Sequence, residues 1–194
     1  MALTEAEKKE KEAHLVRQMA GKLRDDINRL EKFRAGKPPQ AFLEFCAIRR
    51  HHNDIQGLIY VIQERMPAVA NLLPASIGDW VIQAKMKALS SFIEISRRFV
   101  GDPPLTLTGS LTARDVIANE CKNFSDARDF FNKILMEQAL DDKTADALDR
   151  TLVMIDETLP IRLTQTPTTC WVRPIAGVEF SVGRRLSPAR DPQQ

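Results

Sequence analysis

The chain has 194 residues, 43% hydrophobic and 28% charged, which suffices for one sizeable core and excludes wholesale disorder. A formal net charge of +2 is too small to make the chain as a whole a polyanion binder. Three cysteines, Cys46, Cys121 and Cys170, form no CxxC pair and so point to free thiols rather than a disulfide framework.

Charge is spread unevenly. Residues 1–50 hold 12 Lys/Arg against 8 Asp/Glu, residues 51–159 hold 11 against 16, and residues 160–194 hold 5 against 2. Basic ends thus flank an acidic middle. The first residues carry no apolar signal core, and no window approaches a membrane-spanning run of uncharged apolar residues. With the free thiols, these features predict a cytoplasmic protein without a membrane segment.

In chain order, Thr4 followed by Glu7 has the pattern of a capping box and predicts a first helix from Thr4 to about Arg34. Val16, Ala20, Leu23, Ile27 and Leu30 follow at a 4-3-4-3 spacing, a narrow apolar seam fit for a bundle edge or a short coiled coil. The first dozen residues have little apolar surface, so that end is expected to project. Pro39 opens a second helix ending at Arg65 or Met66. Its polar middle, residues 49–54, predicts a kink, and residues 67–75 read as an apolar connector.

Ser76 with Asp79 starts the third helix. One stripe consists of Ile77, Val81, Ala84, Ala88, Phe92, Ile95 and Phe99; a second side consists of Ile82, Met86, Leu89 and Ile93. An arc that wide predicts a helix touching several neighbours, the central one of the fold. Gly101 suits a left-handed cap beyond its end. Thr112 with Asp115 begins a fourth helix with a possible break at residues 123–125. Asp141 or Asp142 caps a fifth, which Pro160 is expected to stop.

Beyond residue 160 the rhythm changes. Residues 168–173 and 178–182 have strand composition, with Val178, Phe180 and Val182 alternating against Glu179 and Ser181. The predicted architecture is all-α, a bundle of about five helices with a short C-terminal β-hairpin or extended arm. Its parts are an N-terminal amphipathic helix (1–36), a bundle core (37–160), a strand-like arm or hairpin (161–183) and a disordered tail (184–194).

Chemistry-bearing patterns are sparse. His14, His51 and His52 are the histidines, and neighbours on a helix point roughly 100° apart, so His51 and His52 cannot share a ligand face. No Glu-x-x-His, Gly-x-Ser-x-Gly or phosphate-binding glycine loop occurs. The expectation is therefore no enzyme, no cofactor and no metal. A protein that works by docking remains: an adaptor, scaffold or assembly subunit, self-associating or bound to a protein partner. Its interface residues would be Val16, Leu23, Ile27 and Leu30 of the seam together with Trp171, Val178 and Phe180 of the arm. The alternative is a nucleic-acid-binding regulator contacting phosphates through Arg49, Arg50, His51 and His52 and the basic first helix.

Overall fold

A computed structural model of the chain describes residues 4–102, 111–138 and 140–164, with the side chains of 111–114 and 160–164 not included. Five α-helices run through these residues, α1 (Glu5–Ala35), α2 (Phe42–Arg65), α3 (Ile77–Gly101), α4 (Leu111–Glu137) and α5 (Asp142–Thr164), with a 3-10 segment (Met66–Leu72) between α2 and α3. About 90% of this region is helical and no strand occurs in it. The expected hairpin, the tail, and with them Trp171, Val178 and Phe180, lie outside the described residues.

Helix ends follow local chemistry. Thr4 and Glu7 close a capping box, the Glu7 carboxylate accepting from the Thr4 N–H at 2.7 Å, which holds that carboxyl below its ordinary pKa. Asp141 caps α5 by accepting from the Thr144 N–H (3.0 Å) and hydroxyl (2.7 Å). The start of α2 is three residues later than Pro39 suggests. There the Glu44 carboxylate takes the Gln40 N–H at 2.8 Å, and Ala41 is the extended residue before the helix.

Five expectations of detail fail in the structure. The helices α2 and α4 run unbroken through residues 49–54 and 123–125. Ser76 makes no side-chain cap. Gly101 is the last residue of α3 rather than a left-handed cap, since the buried Phe99 and Val100 carry the helix to its end. Pro160 does not stop α5, which continues to Thr164; a proline forfeits one backbone hydrogen bond, and a helix anchored by buried Ile155 and Leu159 absorbs that loss.

The helices alternate in direction. Arg24 lies over Trp80 and Arg34 meets Glu94, so α1 runs parallel to α3; Phe45 stacks on Phe99 and His52 on Phe92, so α2 runs antiparallel. Lys85 sits over Phe130 and Ser96 meets Glu120, placing α4 antiparallel to α3; Ser90 faces Thr151 and Arg97 meets Glu157, placing α5 parallel to it. Among the described residues neither α1 nor α2 brings a Cα atom within 8 Å of one in α4 or α5. The halves meet on α3.

Two hydrophobic cores result, and the two stripes of α3 feed one each. Val81, Ala84, Ala88, Phe92, Ile95 and Phe99 join the seam of α1 and the buried face of α2, with Val69 of the 3-10 segment and Val116 and Ile117 of α4. Met86 and Ile93, flanked by Ile82 and Leu89, join Phe124, Ala127, Phe131 and Ile134 of α4 and Leu148, Ile155 and Leu159 of α5. Removing the fully buried Phe131 as Phe131→Ala is expected to cost about 3–5 kcal/mol. Because α3 is shared, hydrogen exchange of α1 amides should also accelerate, although α1 has no residue in the second core. Unchanged α1 exchange would show two independent units.

Candidate functional site

Two places gather polar groups. The first is a buried ion pair between the halves. Glu120 of α4 occupies a core position in the series Val116, Glu120, Phe124, Ala127 and Phe131, and its side chain is fully buried. A carboxylate there needs partners, because an unpaired buried charge costs several kcal/mol. The Ser96 hydroxyl of α3 donates to Oε2 at 3.0 Å, and the Asn123 amide donates to the same atom at 3.4 Å. Arg49 Nη2 of α2 lies 3.0 Å from Oε1, an ion-pair distance without hydrogen-bond alignment, which leaves Oε1 lacking a well-directed donor. Burial raises the Glu120 pKa, opposed in part by Arg49, Ser96 and Asn123.

One turn from Arg49, His52 is buried in the first core. Its ring stacks on Phe92 at 4.1 Å and 5°, and Gln56 Nε2 is 3.2 Å from its Nε2. Phe99, Phe45, Phe92 and His52 form one aromatic column, with centroids 4.0, 6.2 and 4.1 Å apart in turn. Burial, with the charges of Arg49 and His51 beside it, lowers the His52 pKa from 6.5 to about 4.

The second place is a groove of about 1250 Å³ between the end of α1, α3 and α5. Met86, Ala147, Leu148, Val153 and Met154 give it an apolar lining, and Val153 is 55% exposed. Its α1–α3 wall is a closed ionic network. Glu31 accepts from the buried Ser91 hydroxyl and pairs with Arg34 at 3.2 Å and Lys87 at 3.8 Å; Glu94 pairs with Arg34 at 3.4 Å and with Arg98. On the opposite wall, Asp141, Lys143, Asp149 and Arg150 reach the rim at and beyond the start of α5. A second hollow of about 640 Å³ is lined by Asp25, Asn28, Arg29, Lys32 and Phe33, all on α1, and is relief on a helix surface.

The candidate residues fall as follows. Val16, Leu23, Ile27 and Leu30 are buried in the chain's own first core, the seam being covered by α2 and α3, so no partner reaches them in this fold. Of the four basic-cluster residues, Arg50 alone is exposed. Arg49 points to Glu120, His51 Nε2 lies 2.9 Å from the Asp26 carbonyl with its ring edge-on to Phe33, and His52 is in the core. The four therefore form no continuous basic face. Among the described residues no group of three His, Cys, Asp or Glu is placed to hold a metal, and no helix is long and apolar enough to cross a membrane. The inward positions of His52 and Glu120 have a sequence signal. His52 continues the series Ile48, Ile55, Ile59 and Ile62, and Glu120 continues the α4 series, each as a polar residue at an apolar register position.

Compared with the known protein-family models, with curated proteins and with solved structures, the chain gives no match.

The buried groups lead to two expected outcomes. Arg49→Ala strands the Glu120 carboxylate and is expected to cost about 3 kcal/mol, whereas Arg49→Met combined with Glu120→Leu should recover most of that loss in chemical denaturation. Equal losses in both variants would show that the pair is not what couples α2 to α4. For His52, the unfolded chain takes up a proton near pH 6.5 that the folded chain refuses until about pH 4. Stability therefore falls as pH drops through that window, by up to about 3 kcal/mol. Glu120 acts with the opposite sign: its raised native pKa gives stability at low pH that is lost as pH rises through that value. Urea midpoints between pH 4 and 7 should show a shallower acid decline in His52→Phe; the same slope as in the parent chain would contradict the assignment.

Proposed function

We propose that this chain is a non-enzymatic interaction protein that works by receiving another polypeptide in the groove between the end of α1, α3 and α5. One observation carries the reading: the groove combines the exposed Val153 and the half-buried Met154 with a charged rim, and those two residues belong to neither core cluster. Helical proteins take amphipathic or extended segments in grooves of this kind, the apolar floor supplying affinity and the rim orientation. The buried Glu120 group supports the same reading from the other side. Glu120, Arg49, Ser96 and His52 line neither of the two cavities described and instead tie α2, α3 and α4 together. The nucleic-acid alternative retains only Arg50 on the surface from its central cluster and gains no support from the geometry.

The test is site-specific photo-cross-linking of the full-length chain in its native cell, with the reactive residue at Val153 or, as a control, at the 63% exposed Tyr60 of α2. Cross-links to another chain are expected at Val153 and not at Tyr60. A product at twice the 21.9 kDa chain mass would make the partner a second copy, as self-association requires, and other masses a different protein. No intermolecular product at Val153 above the Tyr60 level would overturn the reading.

A further inference from the structure

The groove lies within reach of a segment of the same chain. Its α5 wall is part of the helix that runs on to Thr164, and residues 165–194 follow directly. From Thr164 back to Val153 is roughly 16 Å at about 1.5 Å per helical residue. Six residues in an extended chain, the number from 165 to 170, cover about 20 Å at roughly 3.3 Å each. A chain that doubles back along α5 therefore brings Cys170 and Trp171 level with Val153 and Met154.

Charge and composition match at that point. On α5, Asp142, Asp146, Asp149, Val153 and Asp156 recur at spacings of 4, 3, 4 and 3, which places four carboxylates and the exposed valine along one face, and of these Asp149 and Val153 line the groove. Asp142, Asp146 and Asp149 have no ion-pair partner among the described residues, whereas Asp156 is held by Arg128 at 3.3 Å. Residues 165–194 carry Arg173, Arg184, Arg185 and Arg190 against Glu179 and Asp191, with Trp171, Val172, Ile175, Val178 and Phe180 among them. An apolar sequence whose first basic residue is Arg173 thus follows the wall of the groove that carries Asp149, the exposed Val153 and the half-buried Met154.

We propose that the groove's resident occupant is the chain's own arm, residues 165–183, with Trp171 seated against Val153 and Met154 and Arg173 beside Asp149 of α5. This rests on the reading of the groove as a docking surface and adds its regulation. A tethered segment is present at millimolar effective concentration, so an outside partner must displace it and the arm sets the threshold for binding.

The test uses the full-length chain with Val153→Cys, the native Cys170, and a short thiol-to-thiol cross-linker, with products mapped by mass spectrometry. The control is Leu43→Cys, 80% exposed on α2 beside the C-terminal end of α3, the end towards which α5 also runs. Both substitutions sit on exposed positions and leave the cores intact. Intramolecular product joining position 153 to Cys170 in the first variant should exceed that joining position 43 to Cys170 in the second by five-fold or more. The excess should shrink in high salt and with Arg173→Gln. Equal yields at the two sites would overturn the proposal, as would 153–170 links that form between chains and rise with concentration. If such links fail while photo-cross-linking at Val153 still captures a partner, the docking surface stands and the arm is not its occupant; if both fail, neither reading survives.

Discussion

Burial of α3 on two sides is the constraint from which the rest of the structure follows. A helix with one apolar stripe packs against one layer, but α3 carries two, divided between Val81, Ala84, Ala88, Phe92, Ile95 and Phe99 and, on the other side, Met86 and Ile93. Each stripe needs a cover. The pair α1–α2 with the 3-10 segment supplies one and α4–α5 the other. Since the two covers do not touch along their backbones, the space between them has to be closed by side chains or left open. On the α2–α4 side Arg49 and Glu120 close it. On the α1–α5 side it stays open as the groove.

The choice of an ion pair for the closed side has consequences. Hydrophobic residues of equal volume would hold α2 to α4 at least as well, because desolvation offsets most of the Coulomb attraction of a buried pair. The charged pair instead imposes register: Glu120 has to meet Arg49 from α2, Ser96 from α3 and Asn123 from its own helix at once, and a slide of one turn would strand a carboxylate inside the protein. The neighbouring His52 accepts burial in its neutral form, stacked on Phe92, and shares the region of Arg49 without a second positive charge. Stability and alignment at this seam are thus set by the same few groups.

Much of this was legible in the residues. The two stripes of α3, the Thr4–Glu7 box and the Asp141 cap are local patterns, and local patterns survive folding. The seam of α1 was legible as apolar but not as covered, since whether a stripe meets its own chain or another is decided by tertiary geometry. His52 and Glu120 stood in apolar registers, yet their meaning depended on Phe92, Arg49 and Ser96 from other helices. The basic cluster dissolved for the same reason: four consecutive residues on a helix point around its circumference, and their surroundings differ accordingly. Pro160 and Gly101 misled because single-residue propensities of about 1–3 kcal/mol yield to an anchored helix. The groove had no sequence signature, being a gap between elements.

A distance measurement across that gap tests the central claim, that two helical pairs are held on one shared helix with a fixed opening between them. Spin labels at Lys32 on α1, next to the groove-lining Glu31, and at Lys143 on the α5 wall, both exposed, would report it by pulsed electron paramagnetic resonance. The account predicts one narrow distribution in the full-length chain. A broad or two-peaked distribution would mean that the halves move independently and that α3 does not unite them.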